Sequence, residues 1–137
     1  MFCNALAGED EETLVVHRGE RAFVLLNRFP YTSGHLMVAP VRHVGDFGDL
    51  EDDEALELHR LTQSALGALA QVYAPQGYNV GWNLGRVAGA GVLDHIHLHV
   101  VPRWAGDTNF MPVLADVRVM PEALAETRRR VAAAWPS

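Results

Sequence analysis

Asp94-His95-Ile96-His97-Leu98-His99-Val100-Val101-Pro102 decides how the rest of the chain is read. Three histidines alternate with Ile96, Leu98 and Val100. Strict alternation predicts a β-strand with two unlike faces, imidazoles on one and aliphatic side chains entering the core on the other. Same-face neighbours on a strand lie roughly 6.5 to 7 Å apart, so the outer two histidines stand about 13 Å apart at the backbone. Three chemistries compete for such a row. A solvated polar face rarely chooses histidine three times. One metal ion would reach an adjacent pair, since Zn–N bonds are about 2.0 to 2.1 Å, but not all three rings. A neutral imidazole would also serve as a nucleophile, and crowded histidines oppose one another's protonation, which keeps the attacking ring neutral near pH 7.

The pattern His-φ-His-φ-His-φ-φ, with φ apolar, is complete at His95-Ile96-His97-Leu98-His99-Val100-Val101. It resembles the signature of the histidine triad family of nucleotide hydrolases and transferases. The likeness runs from about Phe2 to Arg103. It implies a histidine triad-like α+β fold: a mainly antiparallel five-stranded sheet with two principal helices, continued across a homodimer.

Composition sets the outer limits. The chain has 137 residues and is 49% hydrophobic, so a single domain 1–137 is expected, with a strand-and-helix extension over about 104–137. A net charge of -6 argues against a general nucleic-acid or acidic-membrane binder. It leaves room for a small phosphorylated ligand. A single cysteine, Cys3, forms no internal disulfide and suggests a reducing compartment. No apolar run approaches the roughly 18 residues of a membrane span, and the first residues lack the layout of a signal peptide. A cytoplasmic protein is expected.

Outward from the triad, the preceding stretch Tyr78-Asn79-Val80-Gly81-Trp82-Asn83-Leu84 alternates as well, with Asn79, Gly81 and Asn83 on one face. The glycine-rich Gly85 to Gly91 joins this strand to the histidines, and such loops offer backbone N–H groups to phosphate. The resemblance places Asn83 at the family's amide position and the main chain of Ala90, Gly91 and Val92 at the phosphate. The interval from Asn83 to His95 is one residue longer than in common members. Ala90-Gly91 replaces a polar pair that many of them carry.

Farther upstream, Thr13 to His17 and Ala22 to Asn27 are β-rich runs around Gly19-Glu20, an antiparallel hairpin. His17 reads as a surface strand residue. Gly34 to Pro40 is a third strand. Asn27 matches the family's ribose-binding asparagine, and His35 its fourth histidine, which supports the triad. Leu58, Leu61, Ala65, Leu69 and Val72 form the stripe of an amphipathic helix within Leu50 to Ala74, with Glu51 to Glu54 at its start and Pro75 and Gly77 at its end. His59 is expected half-buried there.

Arg103 would meet distal phosphates and Trp104 would stack a base, or both belong to a rim loop. Met111 to Val119 is β-prone. Pro121 starts a second helix, with Leu124, Val131 and Trp135 inward and Arg128-Arg129-Arg130 largely outward. Arg103-Trp104-x-Gly106-Asp107-x-Asn109-Phe110 followed by this helix is similar to a bacterial branch of the family that includes diadenosine tetraphosphate phosphorylases.

By resemblance, His97 is the nucleophile, His99 positions it and binds an α-phosphate oxygen, and His95 and His35 fix orientation and tautomer. No cofactor and no metal is expected. Family members with two cysteines three apart near the N-terminus build a zinc site with two histidines, which look like His43 and His95 here. Cys3 is present, but a partner three residues earlier would fall before Met1. The expected ligand is a nucleotide or dinucleotide. The rivals are a non-catalytic nucleotide-sensing module and a zinc protein.

Overall fold

The computed structural model describes residues 8, 13–28, 30, 32–88, 95–107 and 123–136. Among these, β1 (Val15–Arg18), β2 (Ala22–Leu26), β3 (Leu36–Pro40), β4 (Gly77–Trp82) and β5 (Leu98–Arg103) form one antiparallel sheet in the order β1-β2-β3-β5-β4. Two α-helices, α1 (Asp52–Tyr73) and α2 (Leu124–Ala134), accompany it. No helix is long and apolar enough to cross a membrane among the described residues.

The predicted hairpin forms where the sequence places it. Gly19 N–H donates to Ala22 O at 2.8 Å and closes the turn. Glu57, reaching over from α1, accepts the N–H groups of Arg21 and Ala22 at 2.6 Å each. A Cβ on Gly19 would lie 2.5 Å from that carboxylate and 2.7 Å from Ala22 O, so the turn admits only glycine without a shift.

The sheet's two faces differ. Ala22, Val24, Leu26, Leu36, Val38 and Val100 pack against Leu58, Leu61, Ala65 and Leu69 of α1 and Val131 of α2. These residues include four of the five positions in the expected helical stripe; Val72 is half-buried. The opposite face carries a second cluster, Val15, Phe23, Leu25, Met37 and Ala39. Directly paired residues share a face. Met37 pairs with His99, which pairs with Gly81, so His99 lies on the face away from the helices.

The acidic start of α1 is a cap. Glu51 N–H donates to Glu54 Oε1 at 2.9 Å within a capping box. The helix ends at its expected bound, with Ala74 as cap in the left-handed region at φ 45° just before Pro75, and Gly77 opens β4. Gly34, at φ 85°, sits where a Cβ would press on Leu69, Tyr73 and Pro102 at 3.0 to 3.3 Å. The turn it makes leads directly into His35.

Four expectations are corrected. Of the three histidines only His99 lies within a strand: β5 begins at Leu98, His95 and His97 precede it, and Ile96 N–H donates to Val44 O, outside the sheet ladder, at 2.8 Å. His59 is exposed on α1. Of the three arginines, only Arg129 is exposed. Arg128 Nε donates to Val15 O at 2.9 Å, and Arg130 stands 5.1 Å over the Tyr73 ring, so both dock α2 onto the domain. His17 is a docking contact too, its ring stacked on Trp135 with centroids 5.0 Å apart. The expected strand at Met111 to Val119 and the helix start at Pro121 lie outside the described residues.

Candidate active site

Sheet order creates the site. Because β3 lies beside β5, His35, just before β3, faces His99 across 64 positions of sequence. His35 Nε2 and His99 Nδ1 are 2.9 Å apart, and their ring centroids 5.1 Å. The His97 ring stands edge-on to His99 with centroids 4.9 Å apart. His35, His97 and His99 thus form one imidazole cluster.

The rings do not form an open row. His35 is 1% exposed, His95 2% and His97 8%, while His99 is half-buried. Burial lowers all four pKa values, because a charged imidazolium loses its hydration there. For His35 burial, aided by repulsion from His99 and His97, brings the value to about 4. For His99 burial and repulsion from His97 also bring it to about 4. The hydrogen bond from His97 to a backbone carbonyl partly opposes the lowering. At neutral pH the cluster is therefore uncharged.

Neutral rings have definite tautomers, and two are set by backbone carbonyls. A carbonyl oxygen only accepts, so the ring nitrogen facing it carries the proton. His97 Nδ1 donates to His95 O at 3.1 Å, which leaves the lone pair on Nε2. His95 Nε2 donates to Pro40 O at 2.7 Å. His97 thus carries its proton on Nδ1 and leaves Nε2 unprotonated, the state a nucleophile requires. Pro40 and Val44 were invisible to sequence reading as members of this site, because main-chain oxygens carry no residue signature.

The other candidates fall as follows. Asn27 follows β2, is half-buried, and its N–H donates to His35 O at 3.0 Å, so it adjoins the fourth histidine. Asn83 lies one residue past the last registered pair, Trp82 with Leu98, and is half-buried. Alternation sets it on the face of Gly81 and His99. Ala90, Gly91 and Val92 lie outside the described residues. Arg103 is held in a two-pronged ion pair by Asp107, at 2.8 and 2.9 Å, and bonds Asn79. Trp104 meets Tyr73 edge-to-face with centroids 6.3 Å apart. Asp107 entered the sequence reading only as a member of the Arg103-to-Phe110 motif, without a role; its four-residue spacing from Arg103 was the available signal for the ion pair. His43 approaches His95 edge-to-face at 5.2 Å. Cys3 lies outside the described residues, and among those described no three His, Cys, Asp or Glu side chains gather into a cation site.

Residues 8–106 match the HIT domain family. The chain is 48% identical over 126 residues to the AP-4-A phosphorylase of Mycobacterium tuberculosis, covering 92% of this chain and 65% of that protein, so it spans less than two thirds of that relative's length. It is 34% identical over 107 residues to an uncharacterised HIT-like protein of Methanocaldococcus jannaschii, covering 78% of this chain and 81% of that one. Among solved structures, a zinc-bound histidine triad family protein from Mycobacterium smegmatis superposes with a TM-score of 0.71 at 30% identity, over 88% of this chain and 82% of that one. On the complete triad, the sheet order and these matches, the chain belongs to the histidine triad (HIT) family.

Proposed function

We propose that this chain is a nucleotidyl hydrolase or transferase that cleaves nucleoside phosphoanhydrides, among them dinucleoside polyphosphates, through a nucleotidyl group carried on His97. The observation that carries the reading is the His97 tautomer: Nδ1–H is tied to His95 O and the Nε2 lone pair is directed outward from that bond, in a cluster that stays neutral.

The lone pair forms the P–N bond as the phosphoanhydride P–O bond breaks, and the electrons leave with the departing nucleoside phosphate. His99 holds the ring and donates to an α-phosphate oxygen. His35 and His95 hold orientation. Asn27 takes the ribose, and Asn83 with the main chain of Ala90, Gly91 and Val92 takes the phosphates, whose developing charge such N–H groups offset. Water then breaks the P–N bond and restores the imidazole. No step needs a metal or a cofactor.

A second reading is a diadenosine tetraphosphate phosphorylase, in which inorganic phosphate replaces water and the product keeps the added phosphate. The 48% identity to the mycobacterial AP-4-A phosphorylase favours it. We further infer a cytoplasmic homodimer in which the outer edge of β4, where Val80 is 46% exposed, meets a second copy.

The test is rapid quench of protein with diadenosine tetraphosphate into alkaline denaturant, in which a P–N bond survives, followed by mass spectrometry. An adenylyl group on the peptide containing His97 is expected. Its absence under turnover removes the covalent mechanism, and dinucleotide bound without turnover favours the sensing module. Turnover that requires inorganic phosphate selects the phosphorylase.

A further inference from the structure

Glu54 is a buried carboxylate, 4% exposed, that the chemistry above does not use. Helix capping engages one of its oxygens, Oε1, through the Glu51 N–H. Both oxygens also receive the Arg42 guanidinium, Nε at 3.0 Å and Nη2 at 2.7 Å. Arg42 Nη2 donates to Asp49 O at 2.8 Å as well, so the guanidinium is clamped from two sides. A buried ion pair of this kind is a poor source of net stability, since an apolar pair of similar shape often does as well. Its fixed fork geometry does something an apolar pair cannot: it sets the place of the segment that carries it.

That segment is Pro40-Val41-Arg42-His43-Val44, and it grips the first triad residues at three points. Pro40 O accepts from His95 Nε2 at 2.7 Å. Val44 O accepts from Ile96 N–H at 2.8 Å. The His43 ring lies edge-on to His95. His95 and Ile96 precede β5 and lack its ladder, so the end of β3 at Pro40 and the strap that follows it supply the anchoring that the β5 ladder does not. The gripped residue in turn offers the carbonyl that accepts from His97 Nδ1–H and so holds the proton on that nitrogen.

We propose that Glu54 is a positioning residue for the reaction. Through Arg42 it fixes the strap, through the strap the His95 carbonyl, and through that carbonyl the tautomer and aim of His97. The inference rests on His97 being the nucleophile, but one of its readouts needs no reaction.

The test compares wild type with Glu54→Gln, and with Val131→Ala as a variant destabilised in the distant α2 core. Nitrogen NMR of the free protein reads the His97 tautomer, and steady-state kinetics on diadenosine tetraphosphate reads kcat and KM. Glu54→Gln is expected to bring in the Nε2–H tautomer of His97 and to lower kcat about 10- to 100-fold, the scale of a misplacement near 1 Å, with KM within about threefold. Val131→Ala is expected to lose Tm and change neither. Arg42→Lys keeps the charge and loses the fork, so an intermediate loss is expected; it also stands in if Glu54→Gln does not fold. A Glu54→Gln protein that loses only Tm, with the wild-type tautomer and kcat, overturns the proposal. If the wild type turns over no dinucleotide, the proposed function falls, and the tautomer comparison still decides the role of Glu54.

Discussion

Acid should loosen this fold in a window set by the histidine cluster. His35 is held at about 4 in the folded protein, chiefly by burial. In the unfolded chain it returns to roughly 6.5. Below that value the unfolded state takes up a proton that the folded state refuses, so stability falls as pH drops from about 6.5 towards 4. Between pH 7.5 and pH 5 the linkage amounts to about 2 kcal/mol for His35. His99, also at about 4, adds less because it is only half-buried. Glu54, whose carboxyl the Arg42 hydrogen bonds hold below the usual range, contributes stability that is lost only at more acid pH, beneath this window.

Urea unfolding at pH 7.5 and pH 5 measures the effect. Wild type should lose at least about 2 kcal/mol, a midpoint shift of roughly 1 M. His35→Asn keeps an N–H to face His99 but cannot titrate, so over the same interval it should lose about 2 kcal/mol less. Equal losses in the two proteins would refute the claim that His35 is buried neutral beside His99.

His97→Ala is expected to abolish turnover while nucleotide binding, measured by calorimetry, persists; in His97→Gly, added imidazole should restore part of the rate. Unchanged turnover in His97→Ala excludes the covalent role. Asn83→Ala should lower kcat/KM by about 1 to 3 kcal/mol, the scale of a hydrogen bond to a charged group, and no measurable change would remove Asn83 from the site. Gly34→Ala combines a positive φ of 85° with Cβ contacts near 3 Å, and should cost about 1 to 3 kcal/mol in denaturant unfolding. An unchanged midpoint would show that the turn before His35 can relax.

Local periodicity was enough to place the elements. The β-rich run Ala22 to Asn27 is apolar along the length of β2, which is buried throughout, and a repeat of three to four through Leu58, Leu61, Ala65 and Leu69 states which side of α1 is dry, and α1 obeys it. The triad was legible for the same reason. Alternation continued past the end of the strand, however. His95 and His97 keep the spacing of β5, but the registered pairing of β3 and β4 with it stops at Leu98, and a loop carbonyl takes over at Ile96.

What the spacing of residues does not contain is which strands become neighbours. The order β1-β2-β3-β5-β4 sets His35 against His99, and enclosure by the fold holds the rings neutral. The proton positions on His95 and His97 depend on the carbonyls of Pro40 and His95. Every residue has a carbonyl, so no sequence marks the one that matters. The chain therefore declared by itself that imidazoles were concentrated on one stretch. Long-range packing made one of them a buried, neutral ring with its proton on Nδ1, because desolvation exists only once distant segments meet.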